Sequence, residues 1–426
     1  MSRTCIRQAW RVLWCALLAV TCAPDALLRA EAAPVRSTAA PALRSCIAPT
    51  PELPPLFVPA PAAADDEDDD DEDEDEEFDE EAVRGWQTAD GTTCIAVRGS
   101  VTAGVNADAH AMPKGRGVSL RNRDVITFPS TGLFKLDAIS NTGGMTIVTG
   151  LTLAQRSGSD MMLDRALVSV GPLKAGRDVS TFVFFDGADF SFSARTPARQ
   201  AIMAAYTMQL TETLSVTAAA ENPPDAASAL AAGAAAVPGA RWPDMIGRVL
   251  YDGDASRFHA SGALRELRRV NGRPARLASA FLVGGSRDLE IGGVTHTLLM
   301  QGGGTWGGPV FIGSQLDNTE VLGLLTGGEV SNGWSTIASL TSAWSKTIST
   351  SAYASRYALR IPERSTTTGR ITISRFAVNT VWTPALMVKM GLEIGWSRSD
   401  VTLPRLSLHG TSTHRATATV WLQKTF

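Results

Sequence analysis

The chain has 426 residues, of which 39 are basic and 43 acidic, so its formal net charge is −4. This length suits two or three soluble domains or one large barrel, and it leaves ample chain for a core. The near balance of charge excludes a uniformly basic nucleic-acid-binding protein only if the charges are evenly spread. They are not, because sixteen acidic residues lie between Asp65 and Glu81, and the chain without this run has a net charge of +12.

The N-terminus has the pattern of a secretory signal peptide, assigned to residues 1–32. Three arginines among the first eleven residues precede an apolar stretch at 12–21, and Ala30 and Ala32 stand at the spacing that signal peptidase reads. The apolar stretch is too short to cross a bilayer as a helix. No later stretch offers 18 consecutive apolar residues, so we expect no transmembrane helix in the exported protein.

Two cysteines, Cys46 and Cys94, remain after the predicted cleavage. An even number of cysteines in an exported chain indicates one disulfide, which would close a loop around the whole acidic run. The alternative is a pair of free thiols, which suits an oxidising compartment less well.

Residues 33–91 are predicted to be a flexible segment. The stretch at 33–64 is rich in Pro and Ala, which disfavours a long helix or a central strand. The carboxylates of the acidic run repel one another and have almost nothing to bury. The run has the charge to collect divalent cations or ions at the cell surface, but it lacks the glycine-turn spacing of an EF-hand, and a solvated segment is the simpler interpretation.

Residues 92–426 show the two-residue alternation of half-buried strands. Between residues 95 and 105, apolar side chains alternate with Arg98 and Ser100, and the same period recurs at 214–221, 353–361, 388–397 and 415–426. Breaks rich in Gly, Asn and Asp separate these stretches. The pattern predicts a single all-β domain.

A soluble β-sandwich alternates as well, but three further features favour a membrane barrel. The strand pattern continues without a domain break, and the polar faces carry Arg, Lys, Ser and Thr, as a wet interior would. The chain ends in an alternating strand whose last residue is Phe426, a terminal aromatic residue typical of the sorting signal of outer-membrane barrels. In lipid a spanning chain without helices must close into a barrel, since every backbone polar group needs a partner. At roughly 20 residues for each strand and its connection, residues 92–426 allow about 16 antiparallel, up-and-down strands.

Five segments resemble, in chain order, the general porins of alphaproteobacteria, the family found in rhizobia-like bacteria: residues 91–101, 167–186, 205–223, 242–248 and 381–396. The resemblance pairs Cys94 with an upstream cysteine at Cys46. It implies a water-filled homotrimeric channel for small hydrophilic solutes, set among the lipid and lipopolysaccharide of the outer membrane, with no cofactor and no nucleic-acid partner. Two features depart from the family: the acidic run is longer than its usual spacer, and the loop after Asp186 is short.

Basic residues on the predicted polar faces are the candidate pore-lining residues: Arg98, Lys135, Arg165, Arg248, Arg356, Arg360 and Lys389. Residues 92–426 contain 32 bases and 23 acids, a net charge of +9. Basic rings favour anions and raise the potential along a channel. Each of these side chains alone also fits a solvated strand face without an individual role.

The segment after Asp186, with Asp189, Arg195 and Arg199, is the candidate constriction loop. Acids on such a loop, facing bases on the wall, would set up a transverse field that orients dipolar solutes. Trp382, Trp396 and Trp421 suit interfacial girdles, packing between subunits or packing in the wall, although the alternation places Trp421 on the polar face.

Catalytic and metal-binding motifs are weak in this sequence, so no enzymatic activity is predicted. The five histidines are scattered without ligand spacing. The glycines at 302–308 precede no Lys-Ser/Thr pair, and Gly284–Ser286 lacks the second glycine of a nucleophile elbow. Two alternatives to a diffusion channel stay open: a structural or adhesive barrel closed by its own loops, and an outer-membrane enzyme.

Overall fold

The computed structural model describes residues 45–49, 82–88, 91–111, 124–142, 144–158, 160–185, 199–222, 242–267, 276–313, 331–364, 367–404 and 408–426. These residues are almost entirely extended chain, with one short 3₁₀ turn at Pro309–Ile312. The strands are β1 (Ser45–Pro49), β2 (Ala82–Gln87), β3 (Thr93–Ala111), β4 (Asp124–Thr127), β5 (Ser130–Thr142), β6 (Met145–Arg156), β7 (Met162–Val170), β8 (Leu173–Val179), β9 (Gln200–Gln209), β10 (Leu214–Glu221), β11 (Asp244–Gly253), β12 (Ser256–Leu267), β13 (Arg276–Ile291), β14 (Val294–Trp306), β15 (Asn332–Ala343), β16 (Ile348–Arg364), β17 (Thr367–Ala385), β18 (Val388–Leu403) and β19 (Leu408–Thr425).

Neighbouring strands pair antiparallel from β3 to β19, and β19 pairs back with β3, which closes a barrel. Strands β4 and β5 keep one register against β3 and form a single barrel strand, interrupted at Phe128 and Pro129. The barrel therefore has sixteen strands, which confirms the predicted fold. At the seam, the Gly99 N–H donates to the Phe426 carbonyl at 2.8 Å, and the Phe426 N–H donates back at 2.9 Å.

The two ends of the barrel differ in the length of their connections. Among the described residues, one end has turns of two to four residues at 171–172, 210–213, 254–255, 292–293, 344–347 and 386–387. The connections at the other end include 180–199, 222–243 and 307–331. In outer-membrane barrels short turns face the periplasm and longer loops face outwards. The two ends are termed the short-turn end and the long-loop end.

The outer face of the wall is apolar. On β9, Ile202 and Met208 are 55% and 48% exposed, whereas Ala201 and Ala205 on the other face are buried. Exposed aromatic side chains flank the outer band, with Tyr251, Trp344 and Trp382 near the short-turn end and Trp306, Trp334 and Trp396 towards the long-loop end. Such belts mark the two interfaces of a bilayer. No helix among the residues set out above is long and apolar enough to cross a membrane.

A hairpin of β1 and β2 joins the short-turn end of the barrel. The Cys46–Cys94 disulfide links β1 to β3, with 6.0 Å between the Cα atoms, and confirms the predicted bridge. Strand β2 pairs with the start of β3. The prediction of a flexible segment over 33–91 is therefore corrected for these two strands, because a disulfide and backbone pairing hold them. The predicted signal peptide and the acidic run 65–81 lie outside the described residues.

The core of the protein lies inside the barrel. Residues 180–185, which follow β8, and 307–313, which follow β14, pack against the inner wall of the sheet. Phe182 and Phe311 from these segments are 1% exposed, and Leu282 on the wall is fully buried. The two segments position the site described next.

Candidate functional site

Glu221 anchors the start of the β8–β9 connection inside the barrel. The Ser180 hydroxyl donates to Glu221 Oε2 at 2.7 Å, and the Thr181 N–H donates to Oε1 at 2.7 Å. The side chain of Glu221, at the end of β10, is fully buried. Both carboxylate oxygens are therefore engaged by the connection, which is held against the inner wall where it leaves β8.

Arg199 anchors the other end of the same connection. Its Nη2 donates to Glu221 Oε2 at 2.9 Å and to Asp244 Oδ2 at 3.1 Å. Arg265 on β12 binds the same Asp244 through two parallel hydrogen bonds of 2.9 and 2.7 Å. Two buried carboxylates thus face two guanidinium groups, the arrangement that makes buried charge tolerable.

Phe311 joins the second inward segment to this charged cluster. Its ring centroid lies 5.3 Å from Arg199 Cζ, 4.9 Å from Arg265 Cζ and 4.9 Å from the ring of Phe182. Cation–π contact with two desolvated guanidinium groups adds to the apolar packing. The β14–β15 segment therefore packs against the β8–β9 connection and supports it.

Further along, the β8–β9 connection crosses the inner wall. The ring of Phe184 lies over Gly284, where an added Cβ would be 2.6 Å from the ring. The Phe185 N–H donates to Gln301 Oε1 at 3.1 Å, and its ring belongs to a buried cluster with Tyr353. The inward segments therefore occupy the side of the interior lined by β9 to β17. The side lined by β18, β19 and β3 to β8, termed here the solvent side, keeps partly exposed inward-facing side chains such as Arg98, Lys135 and Arg415.

A row of polar side chains crosses the solvent side, termed here the basic row. Cα register places Arg98 opposite Lys135, Lys135 opposite Thr152, and Thr152 opposite Arg165. All four side chains lie on the inner face, since residues directly opposite each other share a face of the sheet. Three cations on β3, β5 and β7 therefore project into one zone of the interior.

Two carboxylates hold the basic row. Arg98 Nη2 donates to Asp137 Oδ2 at 2.6 Å, and Arg165 Nε lies 3.5 Å from Asp178 Oδ1. Asp178 also forms an ion pair with Lys174. The side chains of Arg98 and Arg165 stay 20% and 14% exposed. The row is thus oriented by two acids, of which Asp137 is buried, while part of each arginine side chain reaches solvent.

Two further arginines face the interior beyond the basic row. Register places Ser397 on β18 between Arg375 on β17 and Arg415 on β19. The Arg415 Nε donates to Asp108 Oδ1 at 2.9 Å, and its side chain is 36% exposed. Arg415 extends the basic lining round the wall of the solvent side, and Arg375 lies on β17, at the boundary with the filled side.

Comparison with known proteins identifies the architecture. No protein-family model and no curated protein matches the chain. The solved outer membrane channel DcaP of Acinetobacter baumannii matches with a TM-score of 0.62 at 12% identity, over 80% of this chain and 99% of that one. This chain has the porin fold.

Two other solved structures share this porin fold. The anion-selective porin from Comamonas acidovorans matches with a TM-score of 0.54 at 11% identity, over 78% of this chain and 100% of that one. OmpF of Salmonella typhi, solved in complex with daunomycin, matches with a TM-score of 0.50 at 10% identity, over 79% of this chain and 98% of that one. At such identities the likeness establishes the fold alone.

Within the porin fold, five of the seven predicted pore-lining side chains lie on the inner face. Arg98, Lys135 and Arg165 form the basic row. Arg248 is partly buried, with its Nη2 3.4 Å from Thr217 Oγ1. Lys389 lies on the inner face by register, exposed at the short-turn rim.

The placement predicted for Arg356 and Arg360 is wrong, because both side chains lie exposed on the outer face. The prediction assumed that the apolar residues of β16 face lipid. Instead, Tyr357, Leu359 and Ile361 face inwards and pack on Ile312 of the second inward segment. Once apolar groups fill the interior, apolar alternation no longer identifies the lipid face.

Of the predicted constriction loop, Arg199 lies among the described residues, and it binds Glu221 and Asp244 as set out above. Asp186, Asp189 and Arg195 lie outside them. In the described part of the chain, no three His, Cys, Asp or Glu side chains are grouped to hold a metal ion.

Sequence reasoning missed four functional residues. Glu221 and Asp244 carry no signal of their own, because only strand register brings them beside Arg199. Arg375 has apolar neighbours on its own face of β17, so alternation conceals it. Arg415 was detectable, since it alternates with apolar residues in the last strand.

Proposed function

We propose that the chain is a bacterial outer-membrane porin, a water-filled channel through which small hydrophilic solutes and ions diffuse passively. The observation that carries the proposal is the difference between the two faces of the wall. The outer face is apolar and flanked by aromatic belts, whereas part of the inner face carries ionic side chains. A closed sheet leaves no strand edge unpaired, as lipid requires. The names of two solved relatives of this fold, an outer membrane channel and an anion-selective porin, support the same function.

The channel is proposed to prefer anions. The basic row and Arg415 place cations beside the solvent side of the interior, where they attract anions and repel cations. Asp137 fixes the orientation of Arg98 and is itself buried behind it, whereas the side chains of Asp178 and Arg165 are equally exposed, at 14% each. At the Arg98–Asp137 pair the charge presented to solvent is therefore positive, although the two charges of the pair cancel in a residue count.

Conductance across a planar lipid bilayer tests the proposal. Purified protein is expected to insert in discrete steps, and a salt gradient is expected to give a reversal potential of the sign for anion preference.

A structural or adhesive barrel is the second candidate, favoured by the two inward segments that fill the side lined by β9 to β17. If correctly folded protein gave no stepwise conductance, the structural or adhesive barrel would be the better assignment.

We also propose that the chain assembles as a homotrimer. The outer faces of β19 and β3 carry small apolar side chains, among them Ala416, Ala418, Ala103 and Val105. Small side chains let two walls approach closely, which suits packing between subunits. Chemical crosslinking in detergent, followed by mass determination, tests the assembly. Membership of the alphaproteobacterial porin family is likewise a proposal, supported by the five sequence segments described above.

A further inference from the structure

Four arginines form an exposed patch on the outer face of the barrel, termed here the arginine patch. They are Arg356 and Arg360 on β16, Arg370 on β17 and Arg398 on β18. All four side chains are exposed. They break the apolar pattern of the outer wall on three neighbouring strands, so they require an explanation that the channel does not supply.

The arginine patch is compact. Register places Ser374 between Arg356 and Arg398 on the same face, and it places Arg360 directly opposite Arg370. Like charges directly opposite each other on a sheet are destabilising. The side chain of Asp400 accepts from Arg398 Nε at 3.1 Å. It is the one carboxylate on this patch among the side chains described, so the patch carries excess positive charge.

The position of the arginine patch along the barrel axis indicates which part of the membrane it contacts. On β18, Ile394 and Trp396 face outwards immediately before Arg398, and on β17 Phe376 and Val378 lie on the short-turn side of Arg370. The apolar band thus ends in an aromatic side chain, and the arginines begin one outward-facing position later. The distance from Trp396 to Arg398 along the strand is about 7 Å. This is where the headgroups of the leaflet at the long-loop end begin.

We infer that the arginine patch binds a phosphorylated glycolipid of the outer leaflet, the lipid A part of lipopolysaccharide, with its acyl chains against Phe376, Ile394 and Trp396 and its phosphates on the arginines. Guanidinium groups bind phosphate through paired hydrogen bonds and hold their charge at every accessible pH. A phosphate between Arg360 and Arg370 would turn their repulsion into a bridge. The location in the outer membrane on which this inference rests is that of the proposed function.

A second copy of the chain fits this surface less well. Around a twofold axis the arginine patch would face its own copy, and the like charges would repel. The small apolar side chains of β19 and β3 offer a better surface for subunits.

Native mass spectrometry of the full chain in detergent tests the inference, with diphosphoryl lipid A as the probe. The variant R356Q/R360Q/R370Q/R398Q is compared with wild type and with R98Q/K135Q/R165Q, which loses charge from the inner face instead. We expect the patch variant to bind lipid A about tenfold more weakly or worse, since hydrogen bonds to charged groups are the strong ones. The inner-face variant and wild type should bind alike.

Three results would overturn the inference: equal binding by the patch variant, equal binding of lipid A stripped of its phosphates, or displacement of lipid A by millimolar inorganic phosphate, which would assign a site for free anions. Heat-modifiable migration in gels reports whether each variant is folded, and R360Q/R370Q serves if the fourfold variant fails this check.

Bilayer conductance of the same samples keeps the two proposals apart. Stepwise conductance with patch-independent lipid binding would reject the glycolipid site alone. Patch-dependent binding without conductance would reject the channel alone.

Discussion

The guanidinium of Arg199 lies 2.9 Å from the carboxylate of Glu221, and this contact joins the end of the β8–β9 connection to the end of β10. The same carboxylate accepts hydrogen bonds from Ser180 and Thr181 at the start of the connection. One buried side chain therefore fixes both ends of a segment that crosses the interior of the barrel.

Replacing Glu221 by alanine is expected to release this connection. Arg199 keeps Asp244 as a partner, but Ser180 and Thr181 lose theirs, and breaking a buried ion pair costs about 3–5 kcal/mol. We expect a lower unfolding temperature and a noisier, altered single-channel conductance in planar bilayers. Glu212→Ala, an exposed glutamate in the β9–β10 turn, is the matched control. Wild-type conductance and stability in Glu221→Ala would contradict the anchoring role.

Neutralising the basic row with R98Q/K135Q/R165Q is expected to shift selectivity towards cations. In water a unit charge about 6 Å away stabilises a permeating anion by about 0.7 kcal/mol and destabilises a permeating cation by the same amount, so without screening the anion-to-cation permeability ratio should fall about tenfold for each basic residue removed. Reversal potentials at low ionic strength measure this, since salt screens the effect. The double variant R356Q/R360Q removes two charges from the outer face and should leave the ratio unchanged. A shift of equal size in both variants would refute the assignment of faces.

A bulky residue at Gly284 is expected to displace the β8–β9 connection, because an added Cβ would lie 2.6 Å from the ring of Phe184. Overpacking of this kind costs about 1–3 kcal/mol. Gly284→Leu should therefore lower the unfolding temperature and change single-channel conductance. At Gly247 no atom lies within 4 Å of an added Cβ, so Gly247→Leu should change neither. Identical behaviour of the two variants would reject the contact.

Gly99→Val is expected to impair closure of the barrel. An added Cβ would lie 2.3 Å from the ring of Phe426. The backbones of Gly99 and Phe426 exchange two hydrogen bonds at the seam between β3 and β19. We expect a smaller fraction of heat-modifiable, folded protein after refolding in detergent. Gly132→Val on the neighbouring β5, where an added Cβ meets nothing within 4 Å, should fold like wild type. Normal folding yield for Gly99→Val would show that the seam tolerates the displacement.

Reduction of the Cys46–Cys94 bridge is expected to slow migration of the denatured chain in gels, because the intact bridge closes a loop between residues 48 positions apart. The folded barrel should survive reduction, since β3 keeps its pairing with β5 and β19. Two thiols open to alkylation in the native protein without reductant would contradict the bridge.

Alternation predicted the barrel because most inner and outer faces differ in polarity, as on β3, where Arg98 alternates with Val97 and Val101. It failed on β16, where the apolar residues face other apolar residues within the barrel. A sequence pattern reports the polarity of a face, not which side of the sheet that face lies on. Glu221 and Asp244 were beyond prediction for another reason: their role depends on contacts that exist only after three strands have taken their register.

The uneven filling of the interior has a consequence for how this protein can change over time. The wall from β9 to β17 is constrained as the core of a soluble protein is, since a new side chain there must fit Phe182, Phe184 or Phe311. The inner face of β18, β19 and β3 to β8 includes partly exposed side chains such as Lys135 and Arg415, where substitutions cost less than in a packed core. New solute preferences can therefore accumulate on one flank of the barrel while the opposite flank preserves the fold.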